Sequence, residues 1–206
     1  MPNYCEYDLT AFIQALASGA PTPGGGGAAA LTGALAAALD GMVCSLAEGK
    51  PRYDGAREVF DRAAARCAAL RQELLSLVEE DARAFAPLSR AYAVPKDDPA
   101  RAEIMEQALH AAAEPPMKML RACARGIELT DKLTKLHPLP AATDAGCAAA
   151  LFRAGMDAAA LNLRVNTKSM ADRDRAEALN GECSALLAQY RPLADAAFAR
   201  SMEVLL

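Results

Sequence analysis

Tryptophan is missing from the 206 residues, and phenylalanine and tyrosine supply only five each. A core without large rings has to be filled by alanine and leucine, and small side chains imply closely packed helices. Histidine is nearly absent: His110 falls in a charged helical stretch and His137 in a proline-rich link, so neither suggests a nucleophile–base pair. Excess positive charge is also lacking. Lys and Arg number 22 against 26 Asp and Glu, and the net charge of −4 argues against nucleic acid as the main partner. None of the six cysteines forms a C-x-x-C pair, so no metal site is expected. They read as small core residues of a reducing compartment, hence cytoplasmic. The N-terminus lacks a basic stretch followed by an apolar one, so no signal peptide is expected. The long apolar run from Gly24 to Leu46 holds Asp40 and is mostly Ala and Gly, which argues against membrane insertion.

What is present is helical periodicity. Leu9, Phe12, Ile13 and Leu16 follow helical spacing, with Asp8 as cap and Gly19 as stop. A small-residue helix runs from the glycine loop to about Glu48, and a very long one from about Asp54 to Ala93, which Pro87 is expected to bend or shorten. Asp98 and Pro99 start another helix, which Pro115-Pro116 is expected to break near Ala113. A further helix reaches about Leu136. After the extended link His137-Pro138-Leu139-Pro140, Thr143 caps a helix to about Asp172, and the last covers about Arg175 to Leu206. No segment alternates like a strand. The expected architecture is a single all-α domain over 1–206, a bundle of about six or seven helices with long central members.

The chain is organised around Pro21-Thr22-Pro23-Gly24-Gly25-Gly26-Gly27 and the helix that follows. Glycines there permit close approach of a backbone or a ligand, and the first N–H groups of the helix lack internal partners. Close helix packing would require the same residues. Polar residues on apolar faces are the second signal. At 100° per residue, Asp81 falls in the stripe of Leu70, Leu74, Leu77 and Leu88, where a carboxylate is costly unless paired or placed in a cleft. Asn162 and Asn166 share the buried side of their helix with Leu151 and Gly155, either bonding across the core or facing a ligand. Asp144 shares that face but lies eighteen residues before Asn162, about 27 Å at helical rise, so the two meet only through a helix break or a second subunit.

These segments resemble the cyclodeaminase/cyclohydrolase family, the cyclodeaminase domain of formimidoyltransferase-cyclodeaminase and its stand-alone bacterial relatives. The resemblance rests on Pro23-Gly24-Gly25-Gly26-Gly27, Gly49-Lys50 with Tyr53, Asp81 with Phe85, Ala91 to Lys96, and Asp144-Ala145-Gly146 leading to Asn162 and Asn166. Gly27 stands where the family pattern has serine, and His137-Pro138-Leu139-Pro140 where it has Gly-Asn. The resemblance implies an all-α homodimer and a tetrahydrofolate derivative as substrate, with no further cofactor. The implied reaction is either cyclodeaminase or cyclohydrolase chemistry at the carbon between N5 and N10. It implies Asp81 as acid/base, with Asp144 and Lys96 as further catalytic candidates. Pro23, Gly24, Gly25, Gly26, Lys50, Asn162 and Asn166 are the implied substrate contacts. A helical folate-binding or assembly protein that has lost the chemistry is the alternative.

Overall fold

The structure, a computed structural model, describes residues 3–204. Six α-helices and two short 3-10 turns make up the described chain, with no strand among the described residues. They are α1 (Leu9–Leu16), α2 (Gly25–Ala47), α3 (Arg57–Tyr92), α4 (Arg101–Leu133), α5 (Ala142–Ser169) and α6 (Arg173–Glu203). The 3-10 turns are Tyr4–Glu6 and Pro51–Ala56.

Helices α2, α3, α4 and α5 each pack on the next, and α5 closes back on α2, forming a four-helix bundle with α6 laid against α4 and α5. The α3–α4 pairing is antiparallel, since Glu80 meets Lys118 and Glu73 meets Arg125. The α5–α6 pairing is antiparallel too, with Arg164 on Ser184 and Asp157 on Arg191. Leu74, Leu77, Leu88, Leu120, Phe152 and Leu163 are fully buried in the centre. Helix α2 is the one described helix long and apolar enough to cross a membrane, but its inner face is the wall that α3 and α5 pack against.

Small residues set the spacing. A Cβ on Gly155 of α5 would lie 3.1 Å from the Ala29 carbonyl oxygen and 3.3 Å from the Gly33 nitrogen, so α2 and α5 cross backbone to backbone. A Cβ on Gly126 of α4 would overlap the Phe152 ring. The absence of tryptophan is thus matched by a core of close helix crossings.

Four expectations about the helices need correction. Asp98 and Pro99 do not start α4, whose first residue is Arg101 with Ala100 as N-cap. Pro115-Pro116 does not break a helix: α4 runs through both, and both are buried. Pro87 likewise sits inside α3, which continues to Tyr92. Tertiary contacts outweigh the lost ladder bond at each of these prolines. Thr143 is not the cap of α5. The N-cap is Ala141, in the left-handed region at φ 48°, and no side chain caps the helix. Asp8 does cap α1, accepting from the Ala11 N–H at 2.7 Å.

Candidate functional site

Six of the α2 residues ahead of its first large side chain are Gly or Ala, and this lets the N-terminus of α2 meet α3 and α5 at a cavity of about 150 Å³. The loop contributes Pro21, Thr22, Gly24, Gly25 and Gly26. Asp81 and Phe85 come from α3, Ala112 and Pro116 from α4, and Asn162, Val165 and Asn166 from α5. No Lys, Arg or His belongs to this lining among the described residues.

Asp81 is the acid of the cavity. A Cβ on Gly26 would overlap its carboxyl, so glycine is required for the carboxyl to reach the first turn of α2. Burial pushes the Asp81 carboxyl up from 3.8 to about 6, and the Gly27 N–H facing it opposes the rise. A carboxyl poised there can give or take a proton near neutral pH.

The two amides sit across from it on α5. Asn162 Nδ2 donates to the Ala158 carbonyl at 2.8 Å, and a Cβ on Gly25 would lie 3.1 Å from the same nitrogen. Asn166 Nδ2 donates to the Ala112 carbonyl at 2.9 Å and to the Asn162 carbonyl at 3.0 Å. Neither Oδ1 has a partner among the described residues, and neither is sealed from solvent. The cavity therefore offers a titratable carboxyl, two amide oxygens and free helix N–H groups. This set suits a small polar centre that carries positive charge or donates hydrogen bonds.

The structure brings Gly24, Gly25, Gly26, Asp81, Asn162 and Asn166 together. Pro23 is buried beneath the loop, its Cβ 3.5 Å from a Cβ built on Gly27. The other three candidates lie elsewhere within the chain. Lys50 follows the far end of α2, about 34 Å of helix from the glycine loop, and is exposed. Asp144 is half-buried in the first turn of α5, where the helix dipole favours a carboxylate. Lys96 is exposed on the α3–α4 connection and outside the cavity lining. Sequence periodicity places each of these on a helix or turn but does not say which helix ends meet. Thr22, Phe85, Pro116 and Val165 complete the wall. Of these, Thr22 lies in the glycine-loop stretch and Phe85 one turn after Asp81 on α3, whereas the sequence does not single out Pro116 and Val165 as site residues.

A family model for formiminotransferase-cyclodeaminase matches residues 8–185. A methenyltetrahydrofolate cyclohydrolase of Methylorubrum extorquens is 38% identical over 185 residues, covering 88% of this chain and 89% of the relative. A formimidoyltransferase-cyclodeaminase of Mus musculus is 30% identical over 190 residues, 90% of this chain but 35% of the relative, so the chain spans about a third of that protein. The crystal structure of a formiminotetrahydrofolate cyclodeaminase from Thermotoga maritima superposes with a TM-score of 0.81 at 24% identity, over 96% of this chain and 95% of the other.

Proposed function

The chain belongs to the formiminotransferase-cyclodeaminase family and is a folate one-carbon enzyme; on that premise we propose that it hydrolyses 5,10-methenyltetrahydrofolate, with Asp81 as the acid/base. Support for the hydrolase reading comes from the bacterial relative, which is matched over 89% of its length and bears that activity in its name. Ring closure of 5-formimidoyltetrahydrofolate with loss of ammonia is the second reading, favoured by the mammalian relatives.

One observation carries the mechanism: the Asp81 carboxyl seated against Gly26, in a cavity shared with Asn162 and Asn166. The methenyl group is an amidinium, with its positive charge shared between N5 and N10. A lining of carboxyl and amide oxygens without a cationic side chain complements that charge. Water adds to the methenyl carbon and gives up a proton to Asp81. The tetrahedral carbon then releases N5, which takes that proton back from Asp81 as the C–N5 bond breaks; the remaining hydroxyl proton leaves to solvent as the C=O forms, and the one-carbon unit stays on N10 as a formyl group. A carboxyl pushed up to about 6 suits both taking and returning a proton near neutral pH.

Lys50 and Asp144 enter through a second subunit in this proposal. Leu35, Met42 and Leu46 of α2 and Leu161 and Val165 of α5 are exposed apolar residues on neighbouring helices. A second copy covering them would form a homodimer, and would bring Lys50 and Asp144 of one subunit towards the cavity of the other. Lys96, exposed on the α3–α4 connection, is the cation left to meet the glutamate tail in this proposal. A cytoplasmic location completes the reading.

The test follows the loss of methenyltetrahydrofolate absorbance, alongside ammonia release from the formimidoyl substrate. Asp81→Asn is expected to lower kcat at least 100-fold while folate binding persists. Undiminished turnover in Asp81→Asn would remove Asp81 from the chemistry. If the wild-type protein binds folate but neither substrate reacts, the chain is a binding module.

A further inference from the structure

Pro115 and Pro116 lie buried in the interior of α4, a position that normally costs a helix. Proline has no N–H, so the carbonyl four residues earlier loses its helical partner. For Pro116 that carbonyl belongs to Ala112, a wall residue of the cavity. The freed Ala112 oxygen accepts the hydrogen bond from Asn166 Nδ2 at 2.9 Å. The second proton of that nitrogen goes to the Asn162 carbonyl at 3.0 Å. A side-chain amide has two N–H donors and one acceptor oxygen, and carbonyls cannot donate. With both donors spent on carbonyls, the Asn166 amide has one orientation. Its Oδ1 is left without a partner among the described residues and open to the cavity.

We propose that Pro116 is a positioning residue: by freeing the Ala112 carbonyl it locks the Asn166 amide, so that Oδ1 is presented to the reacting centre as a hydrogen-bond acceptor. The proposal rests on the folate one-carbon reading. The attacking water has two O–H groups. One loses its proton to Asp81 as water adds; the other donates to Asn166 Oδ1 in the tetrahedral adduct, and its proton passes to solvent when the carbonyl forms. When ammonia leaves instead, an N–H donates to the same oxygen. A flipped amide would turn N–H groups towards that donor and repel it.

Replacing Pro116 by valine keeps apolar bulk but restores an N–H that competes for the Ala112 carbonyl. Alanine does the same with less bulk. Both are expected to raise Tm, because a helix-interior proline is removed, and to lower kcat for methenyltetrahydrofolate hydrolysis at least tenfold. Pro115→Ala removes an equivalent ring but restores an N–H only to the carbonyl of the exposed Ala111, away from Asn166, and should change kcat less than twofold. Asn166→Ala should cost a factor similar to Pro116→Val, and the double variant should lose no more than twofold beyond either. Without any substrate, side-chain amide exchange of Asn166 by NMR should be slow in the wild type and at least tenfold faster in Pro116→Val. Equal exchange rates overturn the lock, as do kcat values within twofold of wild type in both Pro116 variants, or losses that multiply in the double variant. A wild-type protein that turns over neither folate substrate refutes the reaction assignment instead, and the exchange measurement still decides the lock.

Discussion

Asp81 is a half-buried carboxyl at the cavity, and Asp40 is a fully buried one inside the bundle. Asp81 lines the cavity and is pushed up to about 6. Below that pH it is protonated and cannot accept a proton from water. The rate of methenyl hydrolysis, kcat/KM, should therefore fall as pH drops through about 6, and this limb should vanish in Asp81→Asn. Asp40 lies midway along α2 and is fully buried. Thr130 Oγ1 lies 2.6 Å from its Oδ2, while Oδ1 has no partner among the described residues. Burial pushes Asp40 up from 3.8 to about 7, opposed by the Thr130 hydroxyl. Its folded pKa lies above the unfolded one, so the folded chain holds a proton that the unfolded chain has released between about pH 4 and 7. Stability consequently declines as pH rises through that window. Asp40→Asn should raise Tm at pH 8, by a change worth up to about 4 kcal/mol, and have little effect at pH 4. A thermal melt series over pH 4–8 checks both ends. An equal effect of the substitution at every pH would show that Asp40 is not the titrating group.

At the scale of the helix, the small residues of α2 and α5 decide how close their polar groups come. Gly155 against Ala29 and Gly33 sets the crossing one to two turns below Gly25 and Asn162. Gly155→Val should push the two helices apart, destabilise the fold by about 1–3 kcal/mol, and raise KM for folate. Urea denaturation and steady-state kinetics read the two effects. The helices themselves were legible because apolar spacing repeats along each. Asp81 stood out as a carboxylate among Leu70, Leu74, Leu77 and Leu88, three of which are almost fully inaccessible and the fourth 6% exposed. Pro115-Pro116 was not legible. Its cost to α4 is local and visible in sequence, whereas the partner that takes the Ala112 carbonyl is on α5, 54 residues away. Ala141 escaped for a related reason, since nothing in an alanine announces a left-handed backbone.

For the whole molecule, periodicity along each helix was readable but the meeting of helix ends was not. Asn162 and the glycine loop converge because α5 runs back along α2, and the same antiparallel course carries Asp144 and Lys50 to the far end. The exposed apolar residues of α2 and α5 give that separation a testable outcome. Leu161→Asp, at a position 73% exposed in the single chain, should shift a dimer to monomer and lower activity at least tenfold. Light scattering at micromolar concentration checks the assembly. A wild-type monomer with full turnover would show that Lys50 and Asp144 are not needed at the cavity. The glycines of α2 also bear on how this chain can diverge. At position 26 any side chain collides with the acid, and at 33 a methyl group would already press on Leu74 and Cys123. Gly27 is different: a Cβ there would meet only Pro23 and Val78 at ordinary distances. Neutral drift through the loop therefore has open doors at 24 and 27, while position 26 between them is closed to every codon but glycine's as long as the carboxyl at 81 is kept.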